Sequence, residues 1–291
     1  MSDLYSAVVY AHGSSSSDRA LNIPGGELTK SARSVVEWYN SMPNSEKIPL
    51  DTVKKVTIVG NGNVAIDLAR ILGSPLDRLE KTDIDLEAFE ELKKSKIEEI
   101  DIIGRRGAVQ AAMTAKELRL LSKIEGISLR VFQDEIDRGL NHSSLEEAQI
   151  KSVSINQSQR ARKRLFELIN SLPRVHNADA KVKINFRFLL EPTDYKPPFI
   201  NFNETILQGP INDQIAVRTD KIIKFDSDLV IRSIGYKSEK IDKDLPFDEK
   251  SGLVENYGGK IEKNCFVTGW ARTGPFGVID TTMRSVFVRT I

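Results

Sequence analysis

The stretch Val53-Lys-Lys-Val-Thr-Ile-Val-Gly60, followed directly by Asn61-Gly-Asn-Val-Ala65, constrains the chain more than any other. Its first part is rich in β-branched residues and stops at glycine, and Val64, Leu68, Ile71 and Leu72 then fall on one face of a helix. A strand, tight turn and helix in that order open a parallel α/β sheet. The turn fits G-x-G-x-x-G/A. Gly60 permits the bend, Gly62 lets a pyrophosphate approach the backbone, and small Ala65 lets the helix pack closely on the strand. The helix N-terminus would then face the phosphates with unpaired N–H groups and its positive dipole end. The competing reading is a glycine turn that holds no ligand.

The segments that follow keep the order strand, helices, strand, which favours such a sheet. Ile97 to Ile103 is an apolar strand run ending at Gly104, and Asp85 to Ser95 alternates acidic and apolar residues at helical spacing. Ser31 to Tyr39, Thr114 to Leu121 and Gln159 to Leu172 read as helices, and Tyr5 to Gly13 as a short strand. From Val182 the texture changes to short strand candidates at 181–190, 206–207, 214–218 and 221–225, separated by Pro, Asn and Asp turns. Two further apolar strands, Asp228 to Gly235 and Asn264 to Gly269, again end in glycine.

With 291 residues the chain has room for about two domains of roughly 150 residues. Lys plus Arg number 42 against 41 Asp plus Glu, a net charge of +1, so no general attraction to nucleic acid or anionic membrane is built in and no nucleic-acid partner is expected. No apolar run reaches the roughly 18 residues of a spanning helix. The opening Met1 to Tyr5 carries neither an apolar signal core nor an Arg-rich leader. The lone Cys265 excludes intramolecular disulfides, and without Cys-x-x-Cys a disulfide-reducing flavoenzyme is disfavoured. His12, His142 and His176 are isolated in sequence, so they read as surface histidines and no metal site is expected.

At the end of the second strand, where an NAD-preferring unit carries an acidic residue, this chain has Gly104-Arg-Arg-Gly107. Two planar guanidinium forks suit a 2′-phosphate, which points to NADP, although a solvated surface pair is the alternative. The usual separation between glycine turn and ribose residue is about 20. Here it is 105 − 60 = 45 residues, so Ser74 to Ser95 is expected to loop out as an insertion. A last block, Gly269-Trp-Ala-Arg-Thr-Gly-Pro-Phe-Gly-Val-Ile279, offers the flat face of Trp270 and a second glycine turn.

Taken together these segments resemble the mitochondrial NADPH:adrenodoxin (ferredoxin) reductase family. The likeness runs through Ile23-Pro-Gly25, Gly60 to Asp67, Leu79 to Ile84, Gly104 to Gly107, Lys116 to Arg119, Arg162 to Leu165, Ser233 to Ser238 and the Trp270 to Met283 block. It implies a Rossmann-like α/β flavoprotein with two dinucleotide-binding domains: residues 26–228 would bind NADP, inserted into an FAD domain made of residues 1–25 and 229–291. By position, Gly60, Asn61, Gly62, Asn63 and Val64 would line the NADP pyrophosphate, Arg105 and Arg106 the 2′-phosphate, and Glu117 a further part of NADP. Trp270, Gly277, Val278 and Ile279 would lie on FAD, and Asp67 would join a polar network beside the flavin. The family's own FAD fingerprint has no counterpart before residue 60, so the chain is expected to be shortened at both ends, with an FAD domain that is incomplete. Asn61 stands where the family usually has glutamine.

The same resemblance implies an acidic [2Fe–2S] ferredoxin as partner. Arg160-Ala-Arg-Lys-Arg164 sits near the start of a predicted helix, where cations oppose the dipole by about 0.3–1 kcal/mol each, and Arg160 with Arg164 repel at i,i+4. Local stability does not explain them; docking does, with Arg119 as a third member. A solvated face with a Lys163–Glu167 pair is the alternative. The implied location is the mitochondrial matrix, with room for peripheral association at the inner membrane. Two functions stay open: hydride transfer from NADPH to FAD and single electrons onward to a ferredoxin, or an NADP-binding module without flavin or reductase activity. Flavin would supply the redox chemistry, so no catalytic acid, base or nucleophile is demanded.

Overall fold

The computed structural model describes residues 4–14, 17–149, 157–275 and 283. It divides into two compact units: Ala20–Ser233, and the two chain ends Met1–Arg19 with Ile234–Ile291.

The larger unit is built on six parallel strands in the spatial order Lys30–Ser31, Leu229–Arg232, Lys55–Val59, Glu99–Ile103, Val182–Arg187 and Ile127–Val131. Lys55–Val59 and Glu99–Ile103 are buried from their second residue onward. Near-continuous burial of this kind belongs to strands covered on both faces. The helix Asn63–Gly73 buries Ala65, Ile66, Leu68, Ala69, Ile71 and Leu72, so it too lies deep in the core. Val59 pairs with Ile103, which leaves Gly60 and Gly104 side by side at the carboxyl edge of the sheet. Ligands of open α/β sheets bind at this edge.

Ser74 to Ser95 does not loop out. It folds as two helices, Leu76–Leu79 and Leu86–Lys93, with Leu79, Ala88, Phe89 and Leu92 buried and the Asp85 carboxylate capping the second by accepting from the Ala88 N–H at 2.9 Å. Apolar residues at helical spacing turn the long connection into part of the core.

The change of texture starts at Leu190 rather than Val182. Val182–Arg187 is an interior strand of the parallel sheet, and the antiparallel meander after it comprises Leu190–Lys196, Phe199–Gln208 and Ile215–Asp226. The edge strand Ile127–Val131 and the helices Gln133–Arg138 and His142–Gln149 were not marked by sequence periodicity. The compact units change over at 19/20 and 233/234, not at 25/26 and 228/229. Leu229–Arg232 pairs in register with Lys55–Val59, and Pro24 O accepts from Tyr195 N at 2.9 Å, so both segments belong to the larger unit.

In the smaller unit Val8–Tyr10 runs parallel to Cys265–Val267, with Lys260–Glu262 antiparallel on its other side. Leu245, Val254, Val267 and Ala271 form its core, with Tyr10, Phe247 and Ile261 packed on them. Among the described residues no helix is long and apolar enough to cross a membrane, and no group of three or more His, Cys, Asp or Glu is placed to hold a metal ion. Cys265 is buried, and burial pushes its thiol up.

Candidate functional site

The site forms where the bend after Lys55–Val59 meets the turn after Glu99–Ile103. Gly60 has φ +117°, and a Cβ there would lie 2.1 Å from the Ser233 carbonyl oxygen. Only glycine satisfies both conditions. Its N–H donates to Ile103 O at 2.8 Å, tying the bend to the neighbouring strand. Gly62 is different: its φ is an ordinary −85°, and a Cβ built there meets nothing within 4 Å. The open space in front of Gly62 is the space a ligand needs.

Gly62 is the N-cap of the helix Asn63–Gly73 and supplies no capping side chain. A helix N-terminus left uncapped presents unpaired N–H donors and a partial positive charge, the elements of a phosphate cradle. The side chains of the bend are used elsewhere. Asn63 Oδ1 accepts from Thr114 N at 2.8 Å, and Asn61 Oδ1 accepts from Ala112 N at 3.4 Å. Both asparagines thus tie the bend to the segment before helix Ala115–Leu121. Thr114 caps that helix by accepting from the Glu117 N–H at 3.4 Å, and Glu117 lies half-buried in its first turn.

The two sequence motifs converge. A Cβ at Gly104 would lie 2.3 Å from Asn61 Nδ2, so the glycine bend and the arginine turn touch. Arg105 and Arg106 follow immediately and are exposed. Their backbone is fixed by two contacts: Thr205 Oγ1 donates to Arg105 O at 2.7 Å, and Leu189 N donates to Arg106 O at 3.2 Å. Burial of part of its side chain, together with the like charges of Arg105 and Arg162, holds the Arg106 guanidinium below its ordinary value, while Glu147 opposes the shift. A partly buried guanidinium surrounded by like charges is poised to accept an anion.

A second polar cluster crosses the same sheet. Thr57, Asp101, Asn185 and Arg130 stand in register on four adjacent strands. Asn185 Nδ2 donates to Asp101 Oδ1 at 3.0 Å and to Glu99 Oε1 at 2.6 Å, and Arg130 Nε donates to Asn185 Oδ1 at 3.0 Å. Burial, and then the neighbouring Glu99 charge, push the Asp101 carboxyl up to about 6. Thr57 Oγ1 is buried without a partner. His176, expected at the surface, lies half-buried between Ser128 Oγ at 3.1 Å and Asn185 Oδ1 at 2.8 Å, and burial lowers its pKa.

Asp67, expected in a polar network beside flavin, accepts from the Tyr39 hydroxyl at 2.7 Å and pairs with Arg70 at 2.5 Å. In the smaller unit Trp270 opens the short helix Trp270–Thr273 behind Gly269 at φ +64°. Gly277, Val278 and Ile279 lie outside the described residues. Just past the paired strands of that unit, His12 Nδ1, Ser14 Oγ and Thr268 Oγ1 are buried without hydrogen-bond partners. Sequence reading passed over these three because an unpartnered polar atom is visible only in three dimensions. It also passed over Glu147, buried beneath the arginine turn.

A parallel sheet with a glycine bend, an uncapped helix N-terminus and adjacent guanidinium forks at its carboxyl edge defines a Rossmann-like nucleotide-binding protein. Comparison with known proteins carries this further. The chain is 38% identical to the mitochondrial NADPH:adrenodoxin oxidoreductase of Drosophila melanogaster over 298 residues, covering 98% of this chain and 60% of that protein. With the Bos taurus enzyme of the same name it shares 37% identity, covering 99% of this chain and 60% of that one. The structure of Mycobacterium tuberculosis FprA in complex with NADPH superposes with a TM-score of 0.85 at 34% identity, covering 98% of this chain and 62% of that one. No protein-family model matches the chain. The chain is therefore a homologue of the NADPH:adrenodoxin and NADPH-ferredoxin reductases along nearly all its length, and it spans about 60% of the length of the curated relatives it matches.

Proposed function

We propose that the chain works in NADPH-dependent reduction of a ferredoxin of the adrenodoxin type, with FAD between the two. The observation that carries this reading is the meeting of the Gly60 bend with the Arg105–Arg106 turn at adjoining strand ends. The N–H groups of Asn63, Val64 and Ala65 would hold the diphosphate of NADPH, with Gly60 shaping the bend and Gly62 leaving room. Arg105 and Arg106 would bind the 2′-phosphate through paired, charge-assisted hydrogen bonds. Glu117, half-buried on the neighbouring helix, would accept from a hydroxyl or amide of the same nucleotide.

His12, Ser14 and Thr268 fit a flavin, whose ring bears the nitrogen and oxygen atoms that such unpartnered groups require, and Trp270 adds a flat apolar face beside them. Gly277 to Ile279 are proposed to complete this contact. The redox chemistry, acceptance of a hydride and release of single electrons, would be supplied by the bound flavin. The chain's own contribution would be positional: it fixes the nucleotide by its phosphates. Ferredoxin would dock on Arg119, Arg160 and Arg164, which are exposed and make no ion pair among the described residues. The mitochondrial names of several relatives support a mitochondrial location, within which the matrix is our proposal, and the mycobacterial match favours the chemistry over the address.

The test is spectroscopic. Purified chain should be yellow with flavin absorbance that bleaches on adding NADPH and not NADH. Colourless protein that still binds NADPH would instead make it an NADP-binding module.

A further inference from the structure

The helix Gln157–Ser171 carries Arg160 and Arg164 as exposed residues, but Arg162 turns the other way. Its Nη1 lies 3.3 Å from Glu147 Oε1 and donates to Asn212 Oδ1 at 2.8 Å. Glu147 is only 1% exposed. It also accepts from the Asn212 N–H and from Gln110 Nε2, the latter at 3.0 Å. Gln110 ends the short helical turn Ala108–Gln110 that continues directly from Arg105-Arg106-Gly107, and Ser144 and Gln214 hold it at 3.2 and 3.0 Å. The Glu147 carboxylate thus ties Arg162 to the base of the arginine turn. Arg162 keeps a third of its side chain exposed. Its Nε and Nη2 donors make no hydrogen bond among the described residues.

Resting on the NADPH reading above, we propose that Arg162 is a third guanidinium of the 2′-phosphate site, set in place by buried Glu147, and helps decide NADPH over NADH. Charge supports the assignment. Arg105, Arg106 and Arg162 less Glu147 leave 3 − 1 = +2 in one neighbourhood, and a phosphate monoester near neutral pH carries about −1.5 to −2. Arg106 already senses Arg162 as a like charge and Glu147 as the opposing one. Without an anion the cluster repels itself. With a phosphate in place each fork gains a charge-assisted bond, and Arg162 reaches it with donors that Glu147 does not use.

The test is calorimetric titration of the full chain with 2′,5′-ADP and with ADP at fixed salt. Wild type should bind 2′,5′-ADP more tightly. Arg162→Gln combined with Glu147→Gln removes the cation without stranding a buried carboxylate. That variant should weaken 2′,5′-ADP about tenfold, leave ADP within about twofold, and flatten the salt dependence. Arg162→Lys keeps a charge over Glu147 but loses the fork, so it should fold as wild type and weaken 2′,5′-ADP about threefold. Unchanged 2′,5′-ADP affinity in a folded variant would overturn the role of Arg162 while leaving the NADPH reading intact. A wild-type chain that fails to tell 2′,5′-ADP from ADP would overturn both.

Discussion

The Gly60–Asn63 bend takes its shape from its own backbone, a positive φ at Gly60 and the start of a helix, and is then tied to Ile103, Ala112 and Thr114, whereas the Arg105–Arg106 turn owes its support mainly to side chains from distant segments. The first needs a positive φ, one strand neighbour and a helix start. The second needs Thr205 and Leu189 on its carbonyls and a buried network of Gln110, Ser144, Glu147 and Gln214 beneath it. A backbone cradle is thus written locally and fails abruptly, while a side-chain fork is supported from several sides and fails by degrees.

Substitution at the two glycines separates folding from binding within the bend. Gly60→Ala drives a Cβ into the Ser233 carbonyl at a backbone angle that disfavours any side chain, and should cost about 3 kcal/mol or more of stability in urea unfolding. Gly62→Ala meets no protein atom, so stability should stay within about 0.5 kcal/mol. NADPH and NADH should nevertheless both weaken by about tenfold, because the new methyl occupies the approach to the backbone amides. If Gly62→Ala bound both nucleotides as wild type does, the open space in front of the helix would not be the diphosphate site.

At the arginine turn the expected pattern reverses. Arg105→Ala with Arg106→Ala removes two charge-assisted forks and should weaken NADPH about a hundredfold, with NADH changed by less than about twofold. Fluorescence titration with each nucleotide reads the ratio directly. Equal losses for both would remove the 2′-phosphate assignment and leave the glycine bend as the whole of the site.

What could be read from the sequence follows the same division. Strand Lys55–Val59, the bend and helix Asn63–Gly73 were legible because their signals, β-branched residues, a glycine spacing and a helical apolar stripe, are short-range. The two arginines were legible as residues, but their support was not. Glu147, Gln214 and Thr205 come from segments 41 to 108 residues away from Arg106 and carry no local pattern. The helix within 85–95 was legible from its spacing, but the stretch 74–95 as a whole was expected to loop out because the spacing between motifs was compared with shorter βαβ units, although Leu79, Phe89 and Leu92 mark a buried face. The strand at 181–190 was legible as a strand but not as a member of the parallel sheet, because it was grouped with the short strands that follow it. In the fold its Asn185 joins a polar row inside the molecule.

That polar row extends the comparison to the buried middle of the sheet. Asp101 rises from 3.8 to about 6 on folding, so the folded state holds its proton more tightly than the unfolded chain. A raised carboxyl of this kind contributes most below pH 3.8 and turns progressively unfavourable as pH climbs through 6. Asp101→Asn should therefore stabilise the chain by about 1–3 kcal/mol at pH 7.5, and the gain should vanish near pH 4. Urea midpoints at the two pH values check the sign, and nucleotide affinity should not move. A gain independent of pH would mean that Asp101 titrates alike in the folded and unfolded chain, so that the substitution acts through packing and hydrogen bonding rather than through a raised pKa.

The smallest effect is expected on the helix Gln157–Ser171, where one element serves two purposes. Arg162 faces inward on Glu147, whereas Arg160, close to the helix start, and Arg164, one turn further in, are exposed. Arg160 opposes the helix dipole, and the two arginines repel one another, each effect amounting to a few tenths of a kcal/mol. Arg160→Glu with Arg164→Glu should consequently leave the unfolding midpoint equal or slightly higher. The ferredoxin KM should rise about fivefold at low salt, converging with wild type as ionic strength increases, while reduction of a small uncharged acceptor stays constant. Better stability beside poorer docking is a combination that a purely structural helix face cannot give. A KM indifferent to both substitutions would assign the arginines to solvent and move the ferredoxin surface elsewhere on the chain.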